Sequence, residues 1–429
     1  MKENFFLIAT GLLFLVFFLL LFNTNSDSDN VFFESVPETQ SENYYFLVAP
    51  LDTNVILFAD SQGAIIKKIQ TDFEPGVDVE LLPSGDFLAL AKVHENPWTI
   101  GGFGGQVKIL DSAGKEKWSY DYFDYNYSSH HDVEMLPNGN VIFLAWDRKS
   151  ADAAFEAGYS ELQEIFPESL IEVNPSTNEI VWEWHSWDHF VQDFNSEKSD
   201  FGSISETPQR ININYADPDL PGMNKSDLMH ANGIDYDEQR DLIFVSANKY
   251  SEIWVIDHST TTPEAASSSG GNYNKGGNLV YRFGNPSAFN NFSSPRLFYR
   301  VHYPNIIEGN LPGTGHMLAF SNGSKQSEIL ELSLPEDLSL PSVYAEQPAV
   351  VWSFKNTDLF SFFISGAERL PDGRTLIAEG DYGLWMVSPD SEVLWNYSLM
   401  DDFNHSIWRS YYYSENSHAL QSVLSAGND

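Results

Sequence analysis

Asn178-Glu-Ile-Val-Trp-Glu-Trp184 is one of six short segments in which a turn residue precedes alternating apolar positions that end in an aromatic pair. The other copies start at Gly114, Gly277, Pro348 and Ser391, and a weaker copy runs from Gly63 to Ile69. The pattern recurs along the whole chain. Repetition on this scale is typical of a fold that is built from similar units.

A second recurrent phrase indicates tight turns between strands. It reads Leu82-Pro-Ser-Gly85, Leu136-Pro-Asn-Gly139 and Leu370-Pro-Asp-Gly373. Proline fixes φ and glycine accepts a positive φ, so both suit the connection of a hairpin. Further alternating runs, such as Val141 to Trp146 and Ile171 to Asn174, lie between this turn and the aromatic segment. Each unit is therefore predicted to be a four-stranded antiparallel meander.

A single meander buries both of its faces only by stacking on neighbours, and radial stacking gives a β-propeller. Counting the aromatic segments predicts an all-β, six-bladed β-propeller of four-stranded antiparallel blades. The runs Tyr45 to Val48, Val55 to Ala59 and Ile65 to Ile69 supply three strands of one blade. Residues 406–413 would add the fourth strand and close the ring. The alternative is a β-sandwich followed by a second domain.

Large insertions make the spacing of the copies uneven. They lie at 147–169, 185–229 and 258–276. Insertions in repeat proteins usually map to loops on one face, which is often the functional face.

The N-terminal region differs from the repeats. Phe5 to Phe22 is a stretch of 18 residues without a charge, preceded by Lys2. This length fits one membrane-spanning helix, whereas a cleaved signal usually has a shorter apolar core. We expect residues 1–23 to be a signal anchor or a signal peptide, residues 24–43 a flexible tether, and residues 44–429 the propeller. In either case we expect the propeller to lie in the periplasm or elsewhere outside the cytoplasm. A signal anchor would tether it to the inner membrane.

The composition limits the possible partners. The 61 acidic and 23 basic residues give a formal net charge of −38. This charge repels nucleic acid and anionic lipid, so we expect no nucleic-acid partner and membrane contact through the N-terminal helix only. The chain has no cysteine, which excludes disulfides and thiol chemistry.

Four of the eleven histidines fall at similar places in the repeat. The first strand of each propeller blade lines the central channel. When the chain is aligned on the Leu-Pro-x-Gly turns, His131, His230 and His302 fall at the start of that strand in three blades, and His405 precedes the closing strand. One such histidine is more often a packed or capped residue, but several around one axis favour a functional site.

Two chemistries use a histidine cluster of this kind. Three neutral imidazoles can hold Zn²⁺, although closely spaced ligand pairs are missing from the sequence. Transfer of an anionic group instead needs N–H donors, a base and a nucleophile, and imidazole can fill each role. We expect neither a metal nor a cofactor.

Several phrases together resemble the bacterial arylsulfotransferase (aryl-sulfate sulfotransferase) family over roughly residues 44–413, in one collinear order. The phrases that carry the resemblance are His130-His-Asp-Val-Glu-Met-Leu-Pro-Asn-Gly-Asn140, Met229-His-Ala-Asn-Gly-Ile-Asp-Tyr236, Ser251-Glu-Ile-Trp-Val-Ile-Asp257, Gly276-Gly-Asn-Leu-Val-Tyr-Arg-Phe-Gly-Asn-Pro286 and Gly366-Ala-Glu-Arg-Leu-Pro-Asp-Gly373. Members of this family are six-bladed propellers.

The resemblance implies a sulfuryl transfer from an aryl sulfate donor to a phenolic acceptor, without a nucleotide sulfate donor. It implies a ping-pong cycle through a sulfohistidine, in which His302 matches the nucleophile. His131 and His230 match the histidines that bind the sulfate oxygens and handle the phenol proton. His130, Asn248, Arg300 and His405 are the further residues that we expect to bind substrate.

Two positions depart from the family pattern: Val301 stands where a glutamine often precedes the nucleophilic histidine, and the departure at position 248 matters more. Asn248 stands where the family commonly has an arginine, and an asparagine supplies no charge to a sulfate oxygen. Lys249 would point to the opposite face of a regular strand. The remaining candidates for a nearby cation are Arg300, Arg369 and Arg409.

This departure keeps a second function open. The alternative is a catalytically impaired, membrane-tethered propeller that binds an anionic ligand or a partner protein. A third hypothesis is a quinoprotein, which also uses tryptophan-rich repeats, but the adjacent cysteine pair typical of that class is missing.

Overall fold

The computed structural model describes residues 44–61, 63–219, 225–338, 347–398 and 405–426. Within these ranges the chain forms six antiparallel sheets of four strands each. The innermost strands of neighbouring sheets contact one another around a central axis. The prediction of an all-β, six-bladed propeller is confirmed, and the β-sandwich alternative is wrong.

The strands are, in chain order, β1 (Tyr44–Pro50), β2 (Val55–Asp60), β3 (Ile65–Gln70), β4 (Glu74–Leu81), β5 (Phe87–Lys92), β6 (Gly105–Leu110), β7 (Glu116–Asp121), β8 (Tyr127–Met135), β9 (Val141–Asp147), β10 (Glu168–Asn174), β11 (Glu179–His185), β12 (Phe190–Val191), β13 (Ile211–Asn212), β14 (Ala231–Asp237), β15 (Leu242–Ala247), β16 (Glu252–Asp257), β17 (Tyr281–Phe283), β18 (Val301–Ile306), β19 (His316–Ser321), β20 (Glu328–Ser333), β21 (Ala349–Lys355), β22 (Gly366–Arg369), β23 (Thr375–Glu379), β24 (Gly383–Val387), β25 (Val393–Ser398) and β26 (Ile407–Ser414). The α-helices are α1 (Ala151–Glu156), α2 (Thr262–Ala265) and α3 (His418–Ser425), and short 3-10 turns span Ser186–His189, Asn248–Tyr250 and Pro286–Phe289.

Five blades follow the chain order. They are blade 1 (β4 to β7), blade 2 (β8 to β11), blade 3 (β14 to β17), blade 4 (β18 to β21) and blade 5 (β22 to β25). Blade 6 has the order β26-β1-β2-β3, so its inner strand comes from the C-terminal part of the chain. In this sheet Phe46 lies opposite Tyr412 in antiparallel register.

The recurrent aromatic segment forms the outer strand of its blade, and its parts have separate physical roles. The turn residue that precedes it has a positive φ at Gly114, Asn178 and Ser391, which suits glycine and asparagine. The tryptophan then donates its indole N–H to the next blade: Trp118 donates to Asn178 Oδ1 at 2.7 Å, and Trp352 donates to the Pro389 carbonyl at 3.0 Å. These bonds join blade 1 to blade 2 and blade 4 to blade 5.

The hydrophobic core is divided among the blade interfaces. Leu88 of blade 1 shares one buried cluster with Phe143 of blade 2, and Phe244 of blade 3 shares another with Met317 of blade 4. Burial of apolar area at each interface contributes about 25 cal/mol per Å². Every blade thus depends on two neighbours for its stability.

The insertions do not all lie on one face. The segments 148–167 and 186–230 leave their blades at the end where the inner strands begin, and they pack together. The segment after Asp257 starts at the opposite end, where His258 Nδ1 lies 2.7 Å from Asp241. Two of the three insertions therefore surround the candidate site.

The predicted N-terminal helix and tether lie outside the described residues. None of the helices in the described ranges is long and apolar enough to cross a membrane.

Candidate active site

The inner strands of three blades are irregular where the histidines lie. The ladder shifts register between Ser129 and Val133 in β8, and between His302 and Asn305 in β18. His131 and His230 adopt left-handed backbone conformations, with φ of 58° and 50°. Non-glycine residues in this region are uncommon and cluster at functional sites. A β-bulge redirects a side chain, and here the bulges turn the rings toward the axis.

The three predicted catalytic histidines meet at one end of the channel. The ring centroids of His131 and His230 are 4.6 Å apart. The Trp408 ring lies 5.3 Å from that of His131 and 5.9 Å from that of His302. The convergence that the register predicted is therefore present, and Trp408 of β26 joins it.

His302 is buried, and a hydrogen bond orients its ring. Its Nδ1 lies 2.6 Å from Asn322 Oδ1, so Nδ1–H donates to this oxygen. Its Nε2 accepts the backbone N–H of Ile364 at 3.1 Å. Burial lowers the pKa of His302 to about 3, with His230 and Arg409 as lesser causes that act against the bond to Asn322. The ring is therefore neutral at physiological pH, and Nε2 carries the lone pair.

The segment 361–365 covers Nε2 of His302, and we call it the cap. Asn322 Nδ2 donates to the carbonyls of Ser361 and Ile364, both at 3.0 Å. Asn322 thus holds the nucleophile candidate and its cap together. Ile364 has a φ of 61°, which is costly for a β-branched residue. Phe362 and Phe363 in the cap are about half exposed.

His131 is held from behind by its neighbour. Its Nδ1 lies 2.7 Å from Nδ1 of His130, and His130 Nε2 lies 2.8 Å from Glu168 Oε2. His130 stacks on Trp146 with 3.8 Å between ring centroids. Burial lowers the pKa of both histidines well below the ordinary value. On the other side, a Cβ at Gly102 would lie 2.1 Å from His131 Nε2.

His230 belongs to a small charged group. Its Nδ1 lies 2.7 Å from Asp227 Oδ2, and the Lys249 ammonium lies 3.0 Å from the same oxygen. Lys249 also donates to the Asp227 carbonyl. Burial opposes ionisation of Asp227, but His230 and Lys249 outweigh it and lower the pKa of Asp227.

The prediction that Lys249 points away from the site is wrong. The strand ends at Ala247, and residues Asn248–Tyr250 form a 3-10 turn, so strand alternation does not apply. Lys249 therefore contacts the histidine cluster through the carboxylate of Asp227.

The predicted substrate-binding residues divide into two groups. Asn248 lies beside the nucleophile candidate, with Nδ2 3.4 Å from His302 Nδ1. His130 is fully buried behind His131. Arg300 stacks on Phe362 at 4.0 Å, and its buried Nη1 has no partner within the described residues. His405 is half-buried before β26 and makes no hydrogen bond or ring contact with the cluster in the described part of the chain.

Of the other arginines considered, Arg409 is the one beside the cluster. Its Nη1 and Nη2 donate to Asp132 at 2.7 and 2.8 Å. Arg369 instead pairs with Glu331 and lines a cavity further along the channel.

That cavity measures about 470 Å³. Carboxylates from several inner strands line it, together with Arg409 and Tyr411, and they include Asp78, Glu80, Asp132, Glu134, Asp235 and Glu368. Burial raises the pKa of Glu80 to about 7 and that of Glu368 to about 8. Across the described ranges, no three His, Asp or Glu side chains are placed to hold one metal ion.

Sequence reasoning did not identify Glu168, Asp227, Asn322, Ile364 or Trp408. Asp227 lies three residues before His230, and this short separation was the one available signal. The others reach the site from separate strands or loops, and their sequence context gives no indication of it.

Comparison with solved structures agrees with the fold. A protein of unknown function from Bacteroides caccae matches with a TM-score of 0.50 and 13% identity, covering 86% of this chain and 98% of that chain. Apo AztD from Citrobacter koseri matches with a TM-score of 0.38 and 9% identity, covering 87% and 99% of the two chains. The likeness to the Bacteroides caccae protein supports the fold alone. A comparison with curated proteins finds no significant match.

The family comparison addresses function. The model of the arylsulfotransferase family (ASST) matches residues 32–397, which is most of the chain. The matched region contains His131, His230 and His302, whose rings converge in the structure. The resemblance seen in the sequence is thus confirmed, and the chain belongs to the arylsulfotransferase family.

Proposed function

We propose that this protein transfers a sulfuryl group from an aryl sulfate to a phenol through a covalent sulfohistidine at His302. The proposal rests on the burial and the protonation state of the His302 ring. It is buried and neutral, and its Nδ1–H is committed to Asn322. The lone pair is therefore on Nε2, which is the form of imidazole that acts as a nucleophile.

The two half-reactions use the same groups in opposite order. First, Nε2 of His302 forms a bond to sulfur while the bond between sulfur and the aryl oxygen breaks, and the departing phenolate takes a proton from His131. Next, the acceptor phenol returns a proton to His131, its oxygen bonds to sulfur, and the N–S bond breaks. Asn322 Oδ1 accepts from Nδ1–H throughout and stabilises the positive charge on the sulfonated ring.

The surrounding charges suit a loose transition state. Sulfuryl transfer spreads charge over peripheral oxygens, so positioning and electrostatics supply most of the catalysis, as in phosphoryl transfer. His230 and Asn248 are the proposed donors to these oxygens. Lys249 offsets the negative charge of Asp227, so the carboxylate that orients His230 repels the sulfuryl oxygens less.

The cap must move before the reaction can start, because Ile364 N–H occupies the lone pair of His302 Nε2. Departure of the cap would free this N–H and the Nε2 lone pair, and the half-exposed rings of Phe362 and Phe363 are the proposed contacts for the aryl ring of the donor. Aromatic side chains favour offset or edge contacts with such rings.

The direct test is to trap the intermediate. Full-length protein is mixed with 4-nitrophenyl sulfate without acceptor, quenched in alkali and digested, and the peptides are analysed by mass spectrometry. We expect one SO₃ on the peptide that contains His302 and its removal when phenol is added. Phenolate release without labelled His302, or equal release by His302→Ala, would contradict the proposal.

A second candidate function is supported by the closed cap and by Asn248. A propeller that has lost catalysis would bind an anionic ligand at His230 and Lys249 and leave Nε2 of His302 capped. Calorimetry with 4-nitrophenyl sulfate separates the two functions, since this candidate requires binding with no phenolate release and no sulfohistidine.

We also infer that the enzyme works outside the cytoplasm and is tethered by residues 5–22. The support is the uncharged 18-residue stretch that follows Lys2. Protease treatment of intact and permeabilised cells tests this location. Digestion of the propeller only after the inner membrane is opened would contradict it.

A further inference from the structure

A continuous line of hydrogen bonds connects His131 to a buried carboxyl group. Nδ1 of His131 lies 2.7 Å from Nδ1 of His130, and Nε2 of His130 lies 2.8 Å from Oε2 of Glu168. Glu168 is 1% exposed, and the two histidines are no more than 2% exposed. No water can enter this line without displacing one of its members.

The surroundings fix the three side chains in place. Trp146 stacks on the His130 ring with an interplanar angle of 16°. The other oxygen of Glu168 accepts the backbone N–H of Ala231 at 2.8 Å. The line therefore runs from blade 2 to the first residue of the inner strand of blade 3, directly beside His230.

Two arrangements of protons satisfy these contacts with both rings neutral. If Glu168 is ionised, His130 Nε2–H donates to it, His131 Nδ1–H donates to His130 Nδ1, and His131 Nε2 is bare. If Glu168 is protonated, it donates to His130 Nε2, His130 Nδ1–H donates to His131 Nδ1, and His131 Nε2 carries a proton. The two arrangements differ by a concerted shift of protons along the line.

We propose that Glu168 and His130 form a proton relay that lets His131 act as an acid in the first half-reaction and as a base in the second. This inference rests on the proposed function. Neither Glu168 nor His130 touches the substrate, so both are positioning residues that act through His131.

The protons balance in each half-reaction. His131 Nε2–H gives its proton to the departing phenolate, His130 Nδ1–H passes its proton to His131 Nδ1, and Glu168 passes its proton to His130 Nε2. The carboxylate of Glu168 then holds the negative charge that the phenolate has lost. When the acceptor phenol gives up its proton to His131 Nε2, each step is reversed and Glu168 is protonated again.

The local electrostatics favour a relay over an imidazolium. Burial lowers the pKa of His130 and His131, with His230 as the next cause. Burial and the nearby Asp227 raise the pKa of Glu168, while the Ala231 N–H and His230 lower it. These directions favour the uncharged forms of all three groups, and a proton shift along the line keeps both rings neutral.

The first test uses Glu168→Gln. A glutamine keeps a donor to His130 Nε2 and an acceptor for Ala231 N–H, but it cannot pass on a proton. His131 is then locked with a proton on Nε2, and giving it away would leave an imidazolate. We expect turnover of phenyl sulfate, which needs leaving-group protonation, to fall by roughly 10²-fold or more, the usual contribution of general acid catalysis. Turnover of 4-nitrophenyl sulfate should fall far less.

Glu172→Gln is the matched control. Glu172 lies on the same strand, is 3% exposed and contacts His258 at 2.9 Å, but it has no link to His131. We expect this variant to affect both donors equally. An equal loss for both donors in Glu168→Gln would overturn the relay and leave Glu168 a structural role.

The second test does not depend on turnover, so it separates failure of the relay from failure of the proposed function. Full-length protein is labelled with ¹⁵N in histidine, and the nitrogen shifts report which ring nitrogen carries the proton. Raising the pH should move the protons of His130 and His131 together at one midpoint in wild type, and leave them unmoved in Glu168→Gln. Rings that keep one tautomer in wild type, or that change in both proteins, would overturn the relay.

Discussion

The two ends of the central channel have opposite chemistry, although the same inner strands line both. His131, His230, His302 and Trp408 meet where these strands begin. A few residues further along, the lining includes seven carboxyl groups, among them those of Glu80, Asp235 and Glu368. We call these regions the histidine end and the carboxyl end.

Burial acts on both ends and favours the uncharged forms of His302 and Glu368. It lowers the pKa of His302 to about 3, and it raises the pKa of Glu368 to about 8. A neutral imidazole gains a reactive lone pair, whereas a neutral carboxyl group loses its strength as a base. Under the proposed function, the same physical cause therefore favours a nucleophile at one end and a weakly basic group at the other.

The Arg409–Asp132 pair separates the ends. Asp132 follows His131 directly, and its Oδ2 also accepts the Ile234 N–H at 2.6 Å. Arg409 lies 4.0 Å from the Tyr303 ring, which lines the carboxyl-end cavity. This ion pair joins blades 2, 3 and 6, and it lies between the histidine end and the carboxyl end of the channel.

The largest expected difference between the ends is in activity. His302→Ala removes the nucleophile, and we expect kcat/KM for 4-nitrophenyl sulfate to fall by at least about 10³-fold. Glu368→Gln changes the carboxyl end without touching the histidines, so its kcat/KM should stay within about threefold of wild type. A large loss in Glu368→Gln would show that the carboxyl end takes part in the reaction.

Lys249→Met tests the charge at the histidine end. Loss of the cation beside Asp227 weakens stabilisation of the developing negative charge, and we expect kcat to fall by about 10²-fold. Lys108→Met is the control, because Lys108 is also buried and paired, with Glu116 in blade 1. Similar losses in the two variants would mean that lysine burial, and not the site, sets the effect.

Glu368→Gln also tests the carboxyl end through stability. The folded state holds the Glu368 proton up to about pH 8, whereas the ordinary pKa is 4.5, so wild type loses stability as the pH rises through this interval. Glutamine has no such loss. We expect the variant to gain up to about 4 kcal/mol in unfolding free energy relative to wild type between pH 5 and pH 8, measured by urea titration.

His302 should show the opposite trend in the same titrations. Its folded pKa lies below the ordinary 6.5, so its contribution to stability is lost as the pH falls from about 6.5 toward about 3.

A gain of Glu368→Gln that does not change with pH would show that Glu368 is already ionised in the folded protein.

Ser327→Ala tests the cap and has the smallest expected effect. Ser327 Oγ accepts the Ser361 N–H at 3.0 Å and donates to the Asn322 carbonyl at 2.9 Å, but it does not touch His302. Loss of these bonds should speed modification of His302 by diethyl pyrocarbonate roughly two- to tenfold. His94, whose side chain is 71% exposed, serves as the internal standard. An unchanged ratio of His302 to His94 would mean that the cap is not held by Ser327.

Much of the scaffold could be predicted from local pattern. The turn residue and the tryptophan at Asn178 and Trp182 are visible in the sequence because hairpin geometry and blade contact each require a particular residue type. The positions of His131, His230 and His302 followed from counting residues back from the Leu-Pro-x-Gly turns. Counting gives the place of each histidine along its strand, whereas the bulges at Ser129–Val133 and His302–Asn305, which redirect the side chains, are visible only in the structure.

The same counting failed where the backbone leaves the ladder. Lys249 was assigned to the wrong face because the strand gives way to a 3-10 turn at Asn248. His405 was placed with the other histidines because it precedes the closing strand, but among the described residues it makes no hydrogen bond or ring contact with the cluster.

The sequence alone determined the propeller, its number of blades and the family, because repeated turns, strand alternation and family phrases are local properties of the chain. Only the tertiary structure decided which groups act on the histidines. Glu168, Asn322 and Ile364 lie 38, 20 and 62 residues from the histidines that they contact. Glu168 on β10 and Asn322 directly after β19 reach these histidines from elsewhere in the same blade, and Ile364 reaches His302 from the loop before the next blade, so the contacts depend on a three-dimensional arrangement of strands that no local pattern records.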